Sequence, residues 1–301
     1  MVHPFRRPGR PIHARSVTDA MAGTQQGRWR RGALALALVA NLSAAEGSGA
    51  PAGVAAAMQG DAVVLLGEVH DNATGHALRA RWLAGALAAG WRPALVFEQF
   101  EAARDGVLAA ARAACARDAG CLIERTGREG WDWPLYRPLL QLALDYDLPI
   151  VGAGIGRGEM GALRQGGYPA LFDTATLARY RPDAAPADLL AGQRRAIEAG
   201  HCNKLPARAV DAMLPMQLSR DIMMADALLR HARSGAVLIA GNGHVRQDLG
   251  VPRWWRGKVE PRVVGFVEAG HADVPFDVTV TVPAAPREDP CAAFATLPGK
   301  G

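Results

Sequence analysis

Short apolar runs of strand length recur along the chain, most of them followed by a polar turn and then by a stretch of helical periodicity. Residues 61–67 form the first run, followed by polar Glu68-Val69-His70-Asp71-Asn72. Asp71 or Asn72 suits the N-cap of a helix that continues to Ala89 and stops at Gly90. A second run, 93–97, delivers Glu98, and a helix follows through Ala116. The third run is 148–152 and the fourth is 236–240, which ends in Gly241-Asn242-Gly243-His244. Runs at 262–267 and 276–281 add two more strands. Continuous apolar strands alternating with helices predict an α/β fold: a mainly parallel central sheet with helices on both faces. The last strand alternates apolar and polar residues, which suits an edge and leaves antiparallel pairing open. Between about 157 and 232 the pattern is helical, and a helical insertion beside the sheet is expected. The α/β domain thus spans 61–283, after a Gly/Ala/Pro-rich spacer at 46–60 and before a tail at 284–301.

Charge changes the picture at the N-terminus. Of the formal net charge of +5, residues 1–31 supply +6, from seven arginines against Asp19, so the remainder carries −1 (+5 less +6). Counterion release needs basic groups clustered on a folded surface, so nucleic acid is not an expected partner. Arg28-Trp29-Arg30-Arg31, the uncharged run 32–45 and small Ser43-Ala44-Ala45 instead describe a secretory signal peptide, with a disordered basic N-terminus as the alternative. That run is too short for a membrane span of about 20 residues. No cysteine follows it to take a lipid, so a periplasmic or secreted location is expected. The four cysteines, Cys115, Cys121, Cys202 and Cys291, allow three full pairings and contain no CxxC zinc spacing. Cys115 and Cys121 flank a helix end and are close enough in sequence to pair locally.

In an open parallel sheet, ligands bind outside the carboxyl ends of the strands. Three strand ends here carry unusual residues: Gly67-x-x-His70 with Glu68 inside it, Glu98, and Gly241-x-x-His244 followed by Arg246. Each strand end stops at the same height, so these side chains converge on one crevice. Imidazoles and carboxylates together suit a divalent transition metal, with His70, Glu98 and His244 as ligands, or acid/base work on a bound water. Two carboxylates in a dry pocket push one pKa upward unless a cation such as Arg246 balances them. Each residue also has a structural reading: Glu68 or His70 as a helix cap, Glu98 as a buried partner of Arg246, His244 as a core histidine.

Other features are weighed beside these. The glycines 152, 154, 156 and 158 depart from the G-x-G-x-x-G fingerprint and read as a flexible bend. The helix 208–232 carries methionines at core spacing, with Gln217 and Asp221 on one face that can edge the pocket. Pro215 is expected to kink it or mark a boundary. His201-Cys202 reads as a ligand pair or as a loop whose thiol pairs elsewhere, and Trp131, Trp133, Trp254 and Trp255 as core and rim packing or as stacking surfaces.

Several blocks in order resemble the ChaN-like family of haem-binding, iron-regulated envelope proteins. They are Leu65-Leu66-Gly67-Glu68-Val69-His70-Asp71-Asn72, Val96-Phe97-Glu98, Trp131-Asp132-Trp133-Pro134-Leu135-Tyr136, Gly200-His201-Cys202, Gln217 to Ala225 and Ala240 to Pro252. The resemblance spans about 60–268 and extends to a superfamily containing Tiki metalloproteases and erythromycin-esterase-like proteins, which share the paired G-x-x-H motifs and the glutamate after the second strand. It implies haem as cofactor and a part in iron uptake. The partners it implies are envelope haem-uptake components and a second copy of the chain. A tyrosinate is a familiar haem ligand, and Tyr136 and Tyr168 are the candidates. The competing reading is a metal-dependent hydrolase with His70 and His244 as ligands and Glu68 or Glu98 as ligand or general base. No Ser-His-Asp signature is evident.

Overall fold

The computed structural model of the chain describes residues 49–270, 274–289 and 291–292. The chain divides into two units, Met1–Gly47 and Ser48–Gly301, and everything below belongs to the second. The signal-peptide expectation at 1–45 lies outside the described residues.

After a short helix α1 (Ala52–Ala57), strand β1 (Val63–Glu68) is buried along its whole length. Asn72, not Asp71, caps the helix that follows, α2 (Ala73–Ala88), its side chain accepting from Gly75 N at 2.9 Å. Strand β2 (Ala94–Glu101) leads through a 3-10 turn into α3 (Asp105–Ala114), α4 (Ala119–Thr126) and α5 (Trp133–Asp145). Strand β3 (Ile150–Gly154) is followed by α6 (Arg157–Gly166), α7 (Thr174–Tyr180), α8 (Ala187–Gly200) and the long α9 (Ala207–His231). Pro215 sits inside α9, which runs through it as one helix. Strand β4 (Ala236–Gly241) then ends in the one-turn helix α10 (Asn242–Val245), and β5 (Arg262–Glu268) and β6 (Val278–Val282) close the sheet.

All six strands are parallel, in the order β3-β2-β4-β1-β5-β6. The edge strand β6 pairs in parallel with β5, Val264 opposite Val278. Nine residues separate the two strands, enough at about 3.3 Å each to span the return along a strand. Its alternation reflects one buried and one open face.

Two apolar layers flank the sheet. On one side Val64, Leu66, Leu95 and Phe97 meet α2 and α5 through Leu83, Leu87, Leu139 and Leu140. On the other, Val63, Leu65, Val96 and Leu238 meet α9 through Leu214, Leu218, Ile222 and Leu228. The connections leaving β1 and β2 lie on the first face, whereas the one leaving β4 carries Leu249, Val251 and Trp254 onto the second. Chain direction therefore splits on both sides of β4, opening a crevice at the carboxyl ends of β2, β4 and β1. Of the glycines at the end of β3 and just beyond, Gly152, Gly154 and Gly156 pack tightly: a Cβ at Gly154 would lie 2.2 Å from the Glu98 carbonyl oxygen. They permit tight approach to β2, not phosphate binding.

Candidate functional site

Glu68 ends β1 with its carboxylate buried and its lone pairs filled. The Tyr136 hydroxyl donates to Oε1 at 2.5 Å, Gln99 Nε2 at 3.1 Å and His70 Nδ1 at 2.7 Å, while the fully buried guanidinium of Arg79 meets Oε2. His76 Nε2 lies 4.0 Å from Oε2 and 3.0 Å from the His70 carbonyl. Burial alone would raise the Glu68 pKa; Arg79 and His70 outweigh it and bring it to about 2. The His76 pKa is lowered as well, to about 4, which here disfavours the charged form, because burial and Arg79 both oppose its cation.

Glu98 and His244 form the second part. Glu98 Oε2 accepts from Gly241 N at 2.9 Å, and its Oε1 lies 3.4 Å from His244 Nε2. On the far side His244 Nδ1 donates to Asp221 Oδ1 at 2.6 Å, with the Gln217 amide 3.2 Å from the same nitrogen. Gln193 ties Asp221 Oδ2 (3.1 Å) to the Leu249 carbonyl (3.0 Å). Burial works against the His244 cation, but Glu98 and Asp221 together raise its pKa to about 10. The same His244 charge, against the burial penalty, lowers Glu98 to about 2. Neither Glu68 nor Glu98 is pushed upward, because buried cations balance both; Asp221, behind His244, is the carboxyl that burial raises, to about 6.

His70 joins the two parts. A Cβ at Gly241 would lie 3.0 Å from His70 Cε1 and Nε2 and 3.8 Å from Glu98 Oε2, so the ring lies over the bare glycine between the glutamates. Trp131 meets it edge-on, ring centroids 5.0 Å apart. Its side chain is 49% exposed, against 1% for Glu68 and 9% for His244, so His70 is the group this crevice shows to solvent. Burial of the rest of the ring disfavours its charge, yet Glu68 and Glu98 raise its pKa above the usual 6.5.

Glu68, His70, Glu98 and His244 thus stand together, while Arg246 does not join them. Beyond α10 the backbone is extended at Arg246, whose guanidinium turns onto Asp248 in a two-pronged pair of 2.6 and 2.7 Å. The cation balancing Glu68 is Arg79, which reads in the sequence as an ordinary surface arginine; the signal was its spacing, three after His76 and three before Trp82, on the inward face of α2. Tyr136 is fully buried, its phenol kept neutral by burial and by Glu68. Tyr168, in a 3-10 turn after Gly167, is half-buried, and burial and Asp183 raise its pKa to about 12. His201 Nδ1 bonds the Ile197 carbonyl at 2.7 Å and Cys202 is disulfide-bonded to Cys291, while Cys115 pairs with Cys121. Trp254 and Trp255 are core.

Among the described residues no group of three or more His, Cys, Asp or Glu is arranged to hold a metal ion, so His70, Glu98 and His244 do not form the expected metal set. His244 has carboxylates on both ring nitrogens, and Glu68 and Glu98 are taken up by donors. No described helix is long and apolar enough to cross a membrane.

Among solved structures, that of cofacial haem binding to ChaN of Campylobacter jejuni superposes with a TM-score of 0.60 at 19% identity, covering 73% of this chain and 86% of that one. This likeness shows the fold. The type III effector HopBA1 follows at a TM-score of 0.42 and 15% identity over 77% of this chain and 92% of its own, too distant to carry an argument. No curated protein matches the chain. Residues 54–254 match the family described as haem-binding uptake, Tiki superfamily, ChaN, from before β1 to the turn after α10, and the chain belongs to that family.

Proposed function

We propose that this chain is an exported haem-binding protein serving haem-iron uptake, and that the strand-end crevice presents His70 Nε2 to the haem iron. One observation carries the site assignment: a half-exposed imidazole whose Nδ1 is held at 2.7 Å by a buried carboxylate. A carboxylate on one ring nitrogen fixes the tautomer and raises the basicity of the other, the usual arrangement for a metal-binding histidine. Were haem bound, its iron would supply a coordination site that the His70 imidazole could fill. The chain's own residues orient the ring: Glu68 accepts a hydrogen bond from Nδ1–H, Trp131 meets it edge-on, and Gly241, having no side chain, lets its Cε1–Nε2 edge approach closely. Tyr168 remains the alternative ligand; Tyr136 has no open face. Export is supported by the Arg28-to-Ala45 pattern and by the two disulfides, Cys115–Cys121 and Cys202–Cys291, which belong in an oxidising compartment. Metal-dependent hydrolysis is not favoured, because His244 offers a metal no open nitrogen.

Titrating the purified chain with haemin tests the reading. A Soret band should develop to saturation in wild type, shift and weaken in His70→Ala, and persist in Tyr168→Phe. A flat wild-type titration removes the haem function. A normal band in His70→Ala together with its loss in Tyr168→Phe moves the iron to the tyrosine.

A further inference from the structure

The family match ends at residue 254, yet the described tail beyond β6 is tied to the crevice at three places. First, the Pro283 carbonyl accepts from Asn72 Nδ2 at 2.7 Å, and Ala285 N donates to Glu268 Oε1 at 2.9 Å. Second, Arg287 reaches both Glu268 (2.6 Å from Nη1 and from Nη2) and Asp71 (2.7 Å from Nη2, 2.8 Å from Nε). Asp71 directly follows His70. Third, Cys291 is disulfide-bonded to Cys202 in the turn between α8 and α9, across 89 residues of sequence.

That turn stands above the crevice. α9 leads into the amino end of β4, so its own amino end points past the carboxyl ends of the strands. Gln217, beside His244, is ten residues from the start of α9 at Ala207, which places the α8–α9 turn about 15 Å farther along the axis. One wall of the crevice is therefore the 69–72 loop with His70, the other is the α8–α9 hairpin with Gln217 and Asp221, and the tail joins them.

We propose that the tail from Pro283 to Cys291 is a thiol-releasable strap across the mouth of the crevice. Oxidised, it holds the α8–α9 hairpin to the His70 loop; reduced, it frees the hairpin and speeds exchange of whatever the crevice binds. The inference rests on the haem reading only for the identity of that cargo. The reductant is a dithiol. One of its thiolates attacks a sulfur of the Cys202–Cys291 bond, giving a mixed disulfide and releasing the other cysteine as a thiolate that takes a proton. The second thiol of the reductant then displaces the remaining cysteine, so each cysteine gains one electron and one proton and the dithiol leaves as its own disulfide. Access favours this bond over the other: Cys291 is exposed and Cys202 half-buried, whereas Cys115 is buried. After reduction the Arg287 pairs still anchor the near end of the tail to Asp71 and Glu268, so opening is confined to the hairpin side.

The full chain is compared oxidised, after mild dithiothreitol, as Cys202→Ser/Cys291→Ser, and as the control Cys115→Ser/Cys121→Ser. Three rates are read: amide hydrogen exchange at 69–72 and 198–207, diethylpyrocarbonate modification of His70, and haemin release. Reduction and the Cys202→Ser/Cys291→Ser pair should each raise the His70 and haemin rates about tenfold, a usual size for coupling between sites. The control pair should leave them unchanged. Equal exchange and His70 modification in oxidised and reduced wild type overturn the strap, and this comparison needs no variant to fold. If no form binds haemin, the haem reading fails while exchange and modification still decide the strap.

Discussion

Glu68→Gln isolates the buried charge on which the crevice is built. The carboxylate is 1% exposed and meets Arg79, which is fully buried. With an amide in its place Arg79 keeps its charge without a counter-charge, and one amide nitrogen must face a donor, either the guanidinium or the His70 Nδ1 proton. Removing one partner of a buried pair costs about 3–5 kcal/mol. The pH dependence separates this from a general packing defect. A carboxyl whose pKa falls from 4.5 unfolded to about 2 folded contributes stability present above 4.5 and lost as pH falls toward 2. That contribution is about 3 kcal/mol at pH 7 and about 1.4 kcal/mol at pH 3, so about 2 kcal/mol disappears between them. Glutamine carries none of it. Urea unfolding of wild type and Glu68→Gln should therefore show a gap of several kcal/mol at pH 7 that narrows by about 2 kcal/mol at pH 3. Glu98 titrates in both proteins and cancels in the difference. A gap that stays constant across this range refutes the assignment of Glu68 as an ionised carboxylate clamped by Arg79.

Two further outcomes follow from the position of His70. In Gly241→Ala the new methyl would sit 3.0 Å from the imidazole and push the ring from its place on Glu68, so haemin affinity should fall about tenfold; an unchanged Soret titration would contradict the placement of Nε2. Because Glu68 and Glu98 raise the His70 pKa above 6.5, protons compete with iron as pH falls below that raised value, and haemin affinity should drop about tenfold per pH unit there. Glu98→Gln should move the onset to lower pH, and a profile that does not move counts against the assignment.

The strands were legible because each is a short unbroken apolar run, and 236–240 or 93–97 admits little else in a sheet covered on both faces. Their order was not: an apolar run states burial but not its neighbours, and nothing in 236–240 says that it slots between β1 and β2. The convergence of Glu68, His70, Glu98 and His244 was legible from strand ends alone; i, i+4 spacing put Asp221 and Gln217 on one helix face that could edge the pocket, but not against His244, where the structure has them. Arg246 misled because proximity to His244 in sequence was read as proximity in space, whereas the chain leaves α10 extended and Asp248 lies two residues on. Arg79 was hidden by its type, since a lone arginine on a helix is ordinarily solvated. The Cys202–Cys291 pairing lay beyond reach because four cysteines permit three pairings and sequence distance does not rank them.

On the proposed haem reading, the charge arrangement suits a crevice that holds a ligand rather than one that reacts with it. A general base needs a pKa near the working pH and an unshared lone pair. Glu68 and Glu98 sit near 2, each satisfied by buried donors, and His244 sits near 10 between two carboxylates. Asp221 is near 6, but it is walled off behind His244 and occupied by Gln193. Of the five, His70 alone has a side chain that is substantially exposed. The other four fix its height, its tautomer and its charge: Glu68 from below, Glu98 from the side, with His244 and Asp221 anchoring Glu98 in turn. Such a network uses its hydrogen bonds to position one imidazole, which is what the proposed binding of a flat, iron-bearing ligand would require.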